Sequence, residues 1–357
     1  MKHAGKALFG LVVTVVLLWW ALRGVSFGAV WAQIRQGDPL LLVAAVAVAT
    51  FGFVIRALRW KVLLASVRPG TRLGSRFAAV SIGFMANNVL PARVGEFARA
   101  YALSRLEPIS ASAAFGSLVV ERFLDGVVLL LLLVLPTLSA GFPASGALSQ
   151  GPGALILRGG IIAVTVVMVG LALLAIWPRP FIRAAERLGS RLPASVSRPV
   201  LDALEALLDA IAVLRSPGLL ALGFLWTAGF WLFHGLSFWL GMLAFGIHTG
   251  LVSAWFTEAV VGFGVAIPSA PGFIGTFHAS ANFALSDVYG VEEVRSLAFA
   301  FGYHFGGWIP ITVIGLVYAW RLGLSLGDVG AAEERVEEVI EGEHPVAEDD
   351  APGRDGA

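Results

Sequence analysis

From Leu219 to Phe245 the chain runs for 27 residues without one Asp, Glu, Lys or Arg. At about 1.5 Å per residue such a helix spans roughly 40 Å, against roughly 30 Å of bilayer hydrocarbon. Apolar runs recur at Leu40–Leu64, Ala113–Leu135, Leu155–Trp177 and Ser296–Trp320. Only 14% of the residues are charged, where soluble chains average about 25%. The expected fold class is therefore an all-α polytopic membrane protein. The chain has no cysteine, which excludes disulfides, thiolate metal sites and thiol catalysis.

Charge sets the expected orientation. The first apolar run, Ala7–Trp20, follows Lys2 and Lys6, which should stay in the cytoplasm. "VWA" at Val30–Ala32 resembles a signal cleavage site, but an uncleaved first helix fits better because so much downstream is apolar. The segments Arg56–Arg76 and Pro178–Pro217 each hold six basic residues and read as cytoplasmic. The side chains of Arg56, Arg59 and Lys61 are expected to snorkel toward the headgroups. Within the second block, "VLDALEALLDAIAVL" has an amphipathic helical pattern that suits packing on the bundle. The uncharged "SAGFPASGALSQGPG" belongs outside. Residues after Leu326 form an acidic tail: from Asp328 onward there are 11 acids and 2 arginines. Disorder is expected there, with room for a short helix around Glu333–Glu341. Both termini are thus expected on the cytoplasmic side of an inner membrane.

Two segments do not fit plain crossings. Phe77–Leu90 has 14 residues, roughly 21 Å of helix, and ends at Pro91. The return leg "VGEFARAYALSR" is too polar to face lipid. Further on, Val252–Ile267 carries Glu258 and meets Pro268, Pro271 and Gly272, before an apolar leg that carries His278. The reading is about six full spans plus two opposed re-entrant hairpins, one from each side. Eight crossings kinked at proline is the alternative. In the hairpin reading three crossings per half invert the halves, about 1–138 and 155–326, relative to each other, setting "VLPARVG" against "AIPSAPG" on topology, since the two are only weakly alike.

The motifs "NNVLPARVGEFARAYAL", "ERFLDGVVLLLLL" and "IPSAPGFIGTF", with a final helix before a Gly-rich exit, resemble the lysylphosphatidylglycerol synthase transmembrane family, or flippase-like domain proteins. The resemblance reaches to about Leu326. It implies a domain that moves lipid between leaflets, without the soluble synthase domain that follows it in the multiple peptide resistance factor. Ala92 stands where that family often has glycine, His278 where it often has an acid, and His304 where arginine is frequent.

Ionisable groups inside a bilayer persist when paired or when facing a wet cavity. Arg93, Glu96 and Arg99 recur at a spacing of three. With Arg122 they read as a clamp for a lipid phosphate, and the rival role is an internal ion pair. Glu121 and Asp125 share a helix face, with Arg122 directed elsewhere, and would pair with the arginines or carry protons. Asn87 and Asn88 would cap the broken helix or donate to the headgroup. Glu258 is a partner for the second hairpin. His234, His278 and His304 read as packing groups, and "GYHFG" (Gly302–Gly306) as a close helix contact. No sequence pattern for a metal, an ATP phosphate loop or a serine nucleophile occurs, so no cofactor is expected.

The expected function is movement of an anionic phospholipid or polyprenyl-phosphate-linked lipid between leaflets, with lipid rather than nucleic acid as partner. An intramembrane enzyme using Glu96, Glu121 and Asp125 as acid and base, or a scaffold for a separate lipid-modifying enzyme, are the alternatives.

Overall fold

The structure is a computed structural model describing residues 2–65, 67–139, 142–143, scattered positions between 158 and 183, and 217–336. Among the described residues it is helical, with no strand. The amphipathic pattern at Val200–Leu214 and most of the tail lie outside them.

The chain opens with α1 (Lys2–Leu22), which turns by 77° into α2 (Phe27–Gln36). Next comes α3 (Pro39–Leu63), started by Asp38, whose carboxylate accepts from Leu40 N at 2.8 Å and Leu41 N at 3.1 Å, with Pro39 in the first turn. Then follow α4 (Leu73–Val89), α5 (Gly95–Leu106) and α6 (Ala111–Thr137). The second set is α7 (Pro217–Ala244), α8 (Leu251–Gly264), α9 (Thr276–Asn282, continued by a π-helical turn over Phe283–Val288), α10 (Glu293–Arg321) and the short α11 (Leu326–Gly330). By length and composition α3, α7 and α10 can each cross a membrane, and the bent α1–α2 pair makes a fourth candidate. α6 is as long but carries Glu121, Arg122 and Asp125 in its first half.

The surface confirms the solvent. Leu11, Val15 and Trp19 on α1, Leu40 and Val43 on α3, and Val313 and Trp320 on α10 are all exposed, an apolar belt of the kind a bilayer covers. Buried in turn are Arg56, Arg59, Arg76, Arg99, Glu121, Asp125 and Glu258. Grease outside and charge inside is the arrangement a membrane solvent selects.

Both breaks are helical hairpins. α4 begins at Leu73, four residues before the expected start at Phe77, and takes in buried Arg76, which donates to Ala57 O at 2.7 Å. It ends at extended Leu90 before Pro91, as the missing proline amide requires. A single 3-10 turn, Pro91–Arg93, reverses the chain into α5. The legs pack closely because Gly95 is a glycine: a Cβ there would strike Gly83 O and the Asn87 side chain. Asn87 Oδ1 accepts from Gly95 N at 2.8 Å, so it caps the return helix from the outgoing one. Asn88 does not cap; its amide donates to Thr312 Oγ1 on α10 at 2.8 Å.

The second break repeats this backbone. Pro271–Phe273 is again a 3-10 turn, now between α8 and α9. Arg93 (φ 57°) and Phe273 (φ 58°) are the non-glycine residues with positive φ among those described. The matching register is therefore "PARVG" with "PGFIG", which corrects the pairing of "VLPARVG" with "AIPSAPG"; Pro268 is an exposed residue three positions before the turn. The two tips touch. Arg93 Cζ lies 5.3 Å from the centre of the Phe273 ring, and its Nη1 donates at 2.7 Å to both Val265 O and Ala266 O at the open end of α8.

The expected close contact at Gly302–Gly306 is present: Gly302 faces the Phe245 ring, and Gly306 faces Val46 on α3. Helical residues Ala332–Val336 close the described chain, with Ala332 and Val336 buried.

Candidate functional site

Glu121 and Asp125 are one turn apart on α6 and fully buried, so each needs counter-charge from a neighbouring helix. Arg99 on α5 forks onto Glu121, Nη1 to Oε1 at 2.7 Å and Nη2 to Oε2 at 2.9 Å, with Cζ 3.9 Å from the centre of the Trp60 ring. Arg59 on α3 bridges both acids, 2.8 Å to Glu121 and 2.5 Å to Asp125. Arg122 folds back onto Glu121 at 2.7 Å and Asp125 at 3.1 Å, correcting the expectation that it points away from them. Trp231 Nε1 on α7 completes Asp125 at 2.8 Å.

Arg56 is the loosest member. It lies 3.7 Å from Glu121 and 3.8 Å from Asp125, and its buried Nη1 makes no hydrogen bond. Aromatic rings hold it instead: Phe230 at 4.2 Å, Phe84 at 5.1 Å and Trp231 at 5.4 Å from Cζ. Four guanidinium groups thus surround two carboxylates, an excess of two positive charges in one cluster that is buried except at Arg122.

Arg56 also lines a cavity of about 200 Å³ between the two hairpins. The walls are mostly aromatic, including Phe53, Phe84, Phe230, Trp231, Phe273 and Phe277. Polar atoms enter from α7, α8 and α10. Glu258 Oε1 lies 2.5 Å from His234 Nδ1, while Glu258 Oε2 has no partner. Tyr303 shares a 2.6 Å hydrogen bond with Ser237, and His304 presents an unpartnered Nδ1. An apolar chamber with a few convergent polar groups is the usual form of a ligand site.

Arg93, Arg99 and Arg122 do not line this chamber. Arg93 closes α8 and sits at the hairpin break, off the face that Glu96 and Arg99 share. Glu96 receives a long 3.5 Å contact from Asn87. Asn88 and His304 reach the chamber wall; His278 stands behind it, its Nδ1 accepting from Gly275 N at 3.3 Å and its ring tilted against Phe301 and edge-on to His304. Gly272 (φ 71°) brings the second tip against Asn88 O and Trp308. Pro271 starts the second turn. His234, read as a packing group, is bonded to Glu258. Among the described residues no group of three or more His, Asp or Glu could hold a metal ion.

Sequence reasoning missed Arg56 and Arg59, assigning them to a headgroup belt. Their spacing of three, against the spacing of four between Glu121 and Asp125, was the available signal: both pairs present one helix face.

The chain is 26% identical over 95% of its length to glycosyltransferase AglD of Haloferax volcanii, of which it covers 57%. A UPF0104 membrane protein of Methanothermobacter thermautotrophicus is 28% identical over 38% of the chain and 40% of the relative. Another, from Methanocaldococcus jannaschii, is 27% identical over 35% and 38%. The chain thus spans between 38% and 57% of the length of the curated relatives it matches. No solved structure matches it. Residues 7–315 match the lysylphosphatidylglycerol synthase TM region, and the chain belongs to that family of membrane proteins.

Proposed function

We propose that this protein carries the head group of an anionic lipid between leaflets, holding its phosphate on Arg56 in the aromatic chamber while the chains stay in the bilayer. One observation carries the reading: a buried cluster with two surplus positive charges, whose least satisfied arginine faces a cavity. A buried guanidinium nitrogen without a hydrogen bond is costly, and a bound phosphate removes that cost with charge-assisted hydrogen bonds. Arg122, its side chain 43% exposed, and Arg93 then serve the head group's path rather than its seat. Arg99 holds the fold.

The two hairpins fit inverted halves whose tips meet beside the site, an arrangement that supports alternating access. Their shared Pro-x-x-Val/Ile-Gly turn and matching positive φ support this. In this reading the membrane is the inner one and both termini are cytoplasmic. Similarity to a protein named as a glycosyltransferase favours a sugar-bearing lipid as one cargo, and a separate lipid-modifying enzyme as partner. Acid–base catalysis by Glu121 and Asp125 is disfavoured, because arginine and tryptophan donors occupy their oxygens.

The test is leaflet movement of labelled anionic lipids in proteoliposomes. Arg56→Gln should lower the rate at least tenfold, whereas Arg35→Gln on exposed α2 should not. Equal rates for the wild type and Arg56→Gln would remove the proposed seat.

A further inference from the structure

The chamber holds one acid that the ion cluster does not use. Glu258 is buried, one of its oxygens faces His234, and the other is bare. As an anion it forgoes the hydrogen bonds water would supply. The nearest excess positive charge is the one Arg56 brings to the same cavity. We infer that the His234–Glu258 pair takes up one proton from solvent as an anionic head group settles on Arg56, so that the chamber binds anion and proton together. This rests on the reading of Arg56 as the phosphate seat.

The physical cause is competition for one cation. In the empty chamber ionised Glu258 offsets the surplus charge at Arg56. An arriving phosphate takes over that role and repels the carboxylate, which is relieved by a proton held between Glu258 and His234. Linkage makes the effect reciprocal: protonation strengthens anion binding by the factor that the anion strengthens protonation.

Other charged or titratable groups lie on the elements packed around the pair. α3 brings Arg56; α6 brings Glu121, Arg122 and Asp125, all engaged with one another. α10 brings Tyr303 and His304 to the chamber wall, while His278 on α9 stands behind it and Arg93 at the first tip is turned onto the end of α8. Among these, His304 with its free Nδ1 is the competing proton site.

The full-length protein in detergent is titrated with short-chain phosphatidylglycerol, a phosphodiester whose own charge is constant from pH 5 to 8. Calorimetry in two buffers of different ionisation heat counts the protons taken up. The expected result is close to one proton per lipid, with affinity falling about tenfold per pH unit on the alkaline side. Glu258→Gln should bind with no proton uptake and a flat pH profile, whereas His304→Gln, whatever its affinity, should keep the uptake of one proton per lipid. If Glu258→Gln does not fold, His234→Gln should still displace the profile.

Binding by wild type and both variants with identical pH profiles would overturn the coupling and leave the phosphate seat standing. A profile lost only in His304→Gln would overturn it too. No binding by wild type at any pH would overturn the seat and the coupling together. Dimethyl phosphate should bind at least a hundredfold more weakly than the lipid. Equal binding with the same proton uptake would keep the coupling but make the ligand a free anion.

Discussion

The two hairpins use the same backbone device for opposite chemistry. "PARVG" and "PGFIG" each reverse the chain through a proline-led 3-10 turn that ends in a left-handed non-glycine residue. Around the first, its return leg supplies Arg99 and the neighbouring helices supply Arg56, Arg59, Glu121, Arg122 and Asp125. Around the second, its own legs and their neighbours supply aromatic rings, histidines and one acid, Glu258. The turn geometry is thus a structural requirement, indifferent to the side chains it presents. The proposed function rests on that charge difference. Arg93 and Phe273 stand at matching places, and their contact joins the charged half to the aromatic one.

That contrast can be broken most severely at Glu121. Replacing it with alanine leaves four guanidinium groups facing Asp125 alone, and loss of a buried charge partner costs about 3–5 kcal/mol. Thermal unfolding in detergent should show a large loss for Glu121→Ala and a much smaller one for Glu258→Gln. Comparable losses would mean that both halves depend equally on buried charge.

Next come the tips. Arg93→Ala removes two charge-assisted hydrogen bonds to Val265 O and Ala266 O, worth about 1.5–3 kcal/mol for a hydrogen-bonded charge. Phe273→Ala, at the matching place, loses only part of a half-buried ring and should cost less in the same assay. A reversed order would assign the junction to the aromatic side.

The hairpin legs offer a third comparison. Gly95→Ala forces a Cβ against Gly83 O and Asn87, and overpacking costs about 1–3 kcal/mol. Gly275→Ala meets Thr14 O of α1 at 2.9 Å and must also hold φ at 92°, so it should destabilise at least as much. Hydrogen exchange should locate the loosening at the first hairpin for one variant and at the α1 contact for the other.

The smallest effect belongs to a latch found on the first hairpin. Arg335 donates to Tyr101 Oη on α5 and to Asp328 at 2.8 Å. The Ser325 hydroxyl, with the Ser325 amide and Arg335, holds the Asp328 carboxyl below its usual range. A lowered carboxyl stabilises the latch above the unfolded value of about 3.9 and loses that effect as pH falls further, through the folded value. Proteolysis at Ala332–Val336 should stay slow at neutral pH and quicken below about pH 4; Arg335→Ala should be cut faster at neutral pH.

Much of this was legible from local pattern. The bounds of α3, α6, α7 and α10 follow their apolar runs to within a few residues, because a bilayer fixes helix length and proline fixes helix ends. The breaks at Pro91 and near Pro271 were visible for the same reason. Less legible was the fate of each charge. Arg56 and Arg59 looked like headgroup anchors because they lie late in a span that continues only to Leu63. Arg122 looked misplaced because helix periodicity ignores a long side chain's reach to the acids beside it.

By itself, then, the sequence determined that this is a membrane-embedded helical protein, where its helices stop, and that charge is carried into its interior. Those properties depend on hydropathy and backbone chemistry within a few residues of each position. Only the tertiary structure decided which cation meets which acid, and left Arg56 and Glu258 incompletely satisfied around one cavity. Such pairings join helices 66 residues apart, as Arg59 and Asp125 are. At that separation packing rather than periodicity sets the distance on which Coulomb energy and hydrogen bonding depend.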